Sequence, residues 1–175
     1  MRNWGLASAL LDLSEGHLTT PHLEVIKTAE EPKGKQVRQN SYDLEAAEAL
    51  AQRALAVARQ AKAVFVEVPH GSQSASSMKG YGICIGILGA IRAEGIPIIE
   101  VTEHESKKNF TGKRTATKEE MIQHAVEWYP NANWPTRGGK LVAGTAEHMA
   151  DAIAAIHAGV HTPMFQNLMR LYAKV

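Results

Sequence analysis

Two short stretches carry the side chains best suited to chemistry. The first is Ala63-Val64-Phe65-Val66-Glu67-Val68-Pro69-His70-Gly71, a run of small and apolar residues that leads to one carboxylate and is broken by Pro69 and Gly71. Apolar residues on both parities mark a strand covered on both faces. Glu67 then sits near the C-terminal edge of a buried strand, where ligands of open α/β sheets collect. The second stretch is Glu147-His148-Met149-Ala150-Asp151, at the start of a helix that is otherwise almost all Ala, Ile and Met. His148 and Asp151 are spaced i, i+3 and Glu147 and Asp151 i, i+4, so an imidazole and carboxylates share nearly one face. A helix this apolar is buried, and charged groups in its first turns are costly unless paired, solvated in a cleft or bound to a cation. The helix dipole offers a bland account of the acidic residues. The sharper account sets Glu67 opposite His148 and Asp151. Oxygen ligands with one imidazole suit Mg2+ or Mn2+, and nearby lysines suit an anionic substrate. The chemistry would be metal-assisted hydrolysis of a phosphodiester.

The elements that must position these residues can be read in order. Trp4 to Leu13 reads as a strand, Ser14-Glu15-Gly16 as a turn, and Leu23 to Thr28 as a second strand antiparallel to the first. Residues 29–40 form a polar loop with Lys33, Lys35 and Arg38. Ser41 is an expected N-cap for a helix to about Gln60, with Leu44, Ala47, Ala51, Ala54, Leu55 and Ala58 on its apolar face. The Glu67 strand comes next. A second helix runs from about Ser76 to Glu94, where Gly80, Gly82, Gly86 and Gly89 suggest close backbone approach, within one subunit or at a dimer seam. Ile96 to Val101 is the next strand, so the passage is a βαβ unit with parallel strands. Residues 103–115 read as a basic loop with Lys107, Lys108, Lys113 and Arg114. Thr117-Lys118-Glu119-Glu120 is a capping box opening a helix that Pro130 stops. Residues 131–140 read as irregular, with a basic Arg137-Gly138-Gly139-Lys140 segment. Thr145 is expected to cap the helix bearing Asp151, and a short helix, Met164 to Ala173, ends the chain.

The chain has 175 residues, enough for one domain with a sizeable core, and we expect a single domain over 1–175. The formal net charge is +1, so any nucleic-acid site must come from local basic clusters. Cys84 is the single cysteine, which excludes internal disulfides and fits a reducing, cytoplasmic setting. No apolar stretch is long enough to span a bilayer. Trp4, Trp128, Trp134 and Cys84 read as packing residues, and His104, His124, His157 and His161 as structural or exposed.

The residues now resemble a family. Val64-Phe65-Val66-Glu67, the Lys107/Lys108, Gly112 and Lys118 series before a helix, and Glu147-His148-Met149-Ala150-Asp151-Ala152-Ile153-Ala154 together resemble the RuvC-type Holliday junction resolvases of the RNase H-like nuclease superfamily, in a form common in phages and prophages. The resemblance covers essentially the whole chain. It implies an RNase H-like mixed sheet, antiparallel strands followed by parallel βαβ, flanked by helices. It also implies a Mg2+- or Mn2+-dependent homodimer that cuts branched DNA. Carried onto this sequence, Glu67, His148 and Asp151 would be catalytic metal ligands. Lys107, Lys108, Lys113 and Lys118 would contact DNA phosphates, and the loop with His70, Ser72 and Gln73 would approach the junction centre.

One departure bears on activity. The family begins with a strand ending in an Asp, then Pro, a small residue and a Gly a few residues on. Met1-Arg2-Asn3-Trp4-Gly5 matches only the part after that Asp, and Asp12 lies at the wrong end of the next strand to replace it. The expectation is therefore that the first strand is missing, either because translation begins upstream of Met1 or because the chain is truncated. Truncation would leave a catalytically impaired protein that binds branched DNA without cutting it.

Overall fold

The computed structural model describes residues 3–12, 17–28, 38–68, 71 and 74–172. The elements are β1 (Asn3–Ser8), β2 (His22–Lys27), α1 (Gln39–Ala58), β3 (Val64–Glu67), α2 (Ala75–Ala93), β4 (Ile98–Val101), α3 (Glu103–Thr111), α4 (Lys118–Trp128), β5 (Thr136–Arg137), β6 (Lys140–Leu141), α5 (Ala143–Gly159) and α6 (Pro163–Tyr172). The chain is mixed α/β, with an antiparallel β1–β2 pair, then a parallel β3–β4 pair joined through α2, flanked by helices. Among the described residues the strands form two-stranded ladders. With β4 as its single described neighbour, β3 is half-buried rather than covered on both faces.

The structure corrects several local expectations. Residues 103–111 are helical, not a loop. Thr102 Oγ1 accepts from the Glu105 N–H at 3.2 Å, and the Glu105 carboxylate accepts from the Thr102 N–H at 2.8 Å. This reciprocal pair satisfies two donors that a helix start leaves open. Gly112, at φ +78°, ends the helix in a conformation other residues rarely adopt. Lys107 and Lys108 therefore sit on a helix. The expected capping box of α4 forms as read, between Thr117 and Glu120. Neither Ser41 nor Thr145 is an N-cap: α1 and α5 begin two residues earlier, behind Arg38 and Val142, which give no side-chain cap. On the apolar face read for α1, Ala54 and Ala58 are buried as expected, but Leu44 is 70% exposed and Leu50, not assigned to that face, is buried.

The described residues fall into two compact units. One comprises those within 1–4, 26–64 and 68–98. There α2 is capped by Ser74, whose Oγ accepts from the Ser77 N–H. Cys84, Ile87 and Ile91 are its buried stripe, and the Trp4 indole N–H donates to Cys84 Sγ at 3.2 Å. Of the two alternatives for the glycines of α2, close approach within the chain is not seen at three of them among the described residues. A Cβ added at Gly82, Gly86 or Gly89 would meet nothing within 4 Å.

The other unit comprises the described residues within 5–25, 65–67 and 99–175. Its centre is α5, apolar nearly all round, which buries Met149, Ala150, Ile153 and Ala154 against Leu23, Phe110, Met121, Ala125 and Tyr129 from β2, α3 and α4. Full burial of a side chain such as Ile153 contributes about 2 kcal/mol. Small residues on α5 admit close neighbours. A Cβ at Gly5 would lie 1.8 Å from the His148 carbonyl oxygen, and one at Gly159 1.9 Å from the Phe65 ring. Phe65 also meets Phe165 of α6 edge-on, with ring centroids 5.0 Å apart. Phe110, His124, Trp128 and His157 stack where α3, α4 and α5 converge, and Tyr129 Oη shares a 2.7 Å hydrogen bond with His157 Nε2.

Candidate active site

The candidate residues that the described structure contains lie in this second unit. Glu67 is the last residue of β3. Its surface is open to solvent, yet the carboxyl is crowded. Burial pushes its pKa up, the Ser106 hydroxyl opposes that rise, Glu103 adds to it and Lys107 subtracts. Ser106 is fully buried on α3, and among the described residues its Oγ has no hydrogen-bond partner of ordinary geometry, so it acts on Glu67 as a nearby dipole.

Asp151 is half-buried on α5, one turn beyond Glu147. Its carboxyl is pushed up to about 7, first by burial and then by the negative charges of Glu67 and Glu147, with weaker opposing pulls from Lys107 and Lys118. Asp151 thus lies near enough to both Glu67 and Glu147 to be repelled by each. Such a group gains by taking up a proton or a cation.

The lysines are not idle. Lys118 Nζ lies 2.6 Å from Glu147 Oε1, Lys107 Nζ 2.6 Å from Glu103 Oε1, and Lys113 Nζ 2.6 Å from Glu120 Oε1. The Glu147 partner raises the Lys118 pKa. Lys108 is exposed on α3 and makes no ion pair among the described residues. His70, Ser72 and Gln73 lie outside the described residues. His148 is half-buried, and its main chain carries the contact with Gly5. Its imidazole is not among the groups that shift Glu67 or Asp151.

The donor set suits a hard divalent cation in chemistry: carboxylate oxygens whose repulsion a cation would relieve. It is incomplete in number. Among the described residues no three His, Cys, Asp or Glu side chains gather closely enough to hold one ion. Sequence reasoning missed Ser106 and treated Glu103 as loop. The Thr102-to-Glu105 spacing was the available signal, because a capping box there puts Glu103, Ser106 and Lys107 on one helix.

No protein-family model and no curated protein sequence matches the chain. Solved structures do. A Thermus thermophilus RuvC structure aligns with a TM-score of 0.59 at 21% identity, over 96% of this chain and 90% of that one. The chain has a RuvC-like fold. A second structure, T. thermophilus RuvC in complex with Holliday junction substrate, aligns with a TM-score of 0.58 at 18% identity, over 95% of this chain and 96% of that one. The RuvC-like fold agrees with the architecture that the sequence resemblance implied. Among the described residues, no helix of this RuvC-like chain is long and apolar enough to cross a membrane.

Proposed function

We propose that the chain is a metal-dependent endonuclease that hydrolyses phosphodiester bonds in branched DNA, acting on four-way junctions as a cytoplasmic homodimer. The observation that carries this reading is the crowding of Glu67 and Asp151, with Lys107 and Lys118 beside them, in a RuvC-like fold. The match to a RuvC bound to a junction substrate supports branched DNA as the partner. Glu67 and Asp151 would hold Mg2+ or Mn2+, with His148 the proposed third ligand. A divalent cation there would activate a water and stabilise the leaving oxygen. The chain's own part is to bind and orient. Lys107, Lys108, Lys113 and Lys118 meet backbone phosphates, with His70, Ser72 and Gln73 toward the junction centre. Lys118 must exchange Glu147 for a phosphate to do so.

Support for the homodimer lies on α2. Met78 and Ile85 are 46% and 51% exposed and share a face with Gly82, Gly86 and Gly89, whose Cβ positions are open. An apolar, small-residue face of this kind admits a second helix at short range.

The deciding experiment is cleavage of a synthetic four-way junction with Mg2+ or Mn2+. Wild type should cut, while Glu67→Gln and Asp151→Asn should bind the junction and leave it intact. Normal cutting by both variants would remove the site assignment. A second reading, an impaired protein that binds branched DNA without hydrolysis, is favoured by the absence of a third converging ligand among the described residues. Wild-type binding without cleavage selects it.

A further inference from the structure

Residues 131–140, which read as irregular, contain a built element. Thr136 pairs with Leu141 and Arg137 with Lys140 in the antiparallel β5–β6 hairpin. Its two-residue turn is Gly138-Gly139, at φ +58° and +75°. Positive φ at both central residues is what a tight type I′ hairpin turn needs, and glycine supplies it without strain.

The hairpin is anchored at its base. The Val142 N–H donates to the Pro135 carbonyl at 2.8 Å, and the Trp134 indole N–H donates to the Tyr129 carbonyl at 2.8 Å. Asn133 grips β2 at both main-chain groups of one residue, accepting from the Leu23 N–H and donating to the Leu23 carbonyl, each at 2.7 Å. Only Leu141 and Val142 separate Lys140 from α5, the helix that carries Glu147, His148 and Asp151.

The register has a cost. Arg137 and Lys140 face each other directly, and like charges directly opposite on a strand pair destabilise it. Among the described residues neither makes an ion pair. This sets them apart from Lys107, Lys113 and Lys118, each of which is held by a glutamate. Two opposed, exposed, unpaired cations on an anchored hairpin fit an anion with closely spaced charges, and a nucleic-acid backbone is one.

The geometry points to the β5–β6 hairpin as a phosphate clamp, in which Arg137 and Lys140 together grip the backbone of a duplex arm beside the cleavage site. This rests on the branched-DNA reading and extends it to an element outside the lysine series. The clamp contacts phosphates and not base edges, so it supplies affinity without sequence preference.

The test is equilibrium binding of a labelled four-way junction across a salt series, by wild type and by Arg137→Gln/Lys140→Gln. Loss of two phosphate contacts should flatten the slope of log K against log salt by about 2 units. Affinity should fall roughly tenfold at moderate salt, the order expected for two lost contacts. The charge-keeping Arg137→Lys/Lys140→Arg variant should retain most of both. Thermal melting supplies a second check. Removing the opposed charges should leave the melting temperature unchanged or raise it, so weaker binding cannot be blamed on unfolding. Unchanged slope and affinity in the Gln variant, with wild type binding normally, would overturn the clamp alone. If wild type binds no DNA, the branched-DNA reading falls and the clamp falls with it.

Discussion

Asp151 and His157 lie on the same helix, and burial shifts both toward their neutral forms. For Asp151 the neighbouring carboxylates Glu67 and Glu147 reinforce the shift. His157 is pushed down to about 4, by burial first and then by His161 and His124. It faces Tyr129, Phe110 and Trp128 as well. The direction of the shift sets the sign for stability. A histidine whose folded pKa is depressed keeps its full contribution above about pH 6.5, where both states are neutral. That contribution is lost as pH falls from 6.5 toward 4, because the unfolded chain takes up the proton first. Asp151, raised to about 7, takes up its proton in the folded state first and acts in the opposite sense over this window, so the His157 share is read as the difference between wild type and a variant. His157→Gln should lose about 2–4 °C less than wild type, which corresponds to about 1 kcal/mol after discounting for the ring's partial exposure. Circular-dichroism melts at the two ends of the window check this. Equal losses in both proteins would remove His157 as the source. The sequence placed His157 among structural or exposed residues, since an i, i+4 pair with His161 says nothing about the rings of α3 and α4 that enclose it.

Among the elements, α5 decides how the candidate site is held. Its Ala-rich surface allows β1 to lie directly on its main chain at His148. Gly5→Ala would force a methyl carbon to within 1.8 Å of that carbonyl oxygen, and backbone cannot give way as a flexible side chain can. The expected cost is about 1–3 kcal/mol, from overpacking. Because the displaced segment carries His148 and leads to Asp151, junction cleavage should fall along with the melting temperature. A variant that melts and cuts like wild type would show that the contact is not needed. The helix α3 illustrates the reverse difficulty. Its basic composition suggested a loop, yet two reciprocal hydrogen bonds at Thr102 and Glu105 were enough to start a helix.

The molecule as a whole is proposed to work as a pair. The open face of α2, with Met78, Gly82, Ile85, Gly86 and Gly89, is the surface on which that proposal rests. Sedimentation velocity at micromolar concentration should give twice the chain mass for wild type. Ile85→Glu, which puts a charge at an exposed position, should give the single-chain mass with an unchanged far-ultraviolet spectrum. A wild-type protein that sediments as a single chain would end the dimer proposal while leaving the nuclease reading in place. Single-chain behaviour would also leave one face of α2 open, with glycines that each cost the helix about 1 kcal/mol against alanine.

Local chemistry in the sequence determined most of the elements: the two leading strands, the capping box at Thr117, the βαβ passage, and the placing of Glu67 at a strand end, though not that of Asp151, which was read in the first turns of its helix and lies mid-way along α5 because that helix begins at Ala143. These depend on neighbours within a few residues, which sequence spacing records. Only the tertiary structure decided which charges meet. It set Glu147 against Lys118 and Glu67 against Asp151, placed Ser106 beside Glu67, and aligned Arg137 with Lys140. Such pairings depend on how closely helices and strands approach one another. Here that approach is fixed by the absence of a side chain at Gly5 and Gly159 and by the smallness of the alanines of α5, which a linear pattern shows as composition and not as distance.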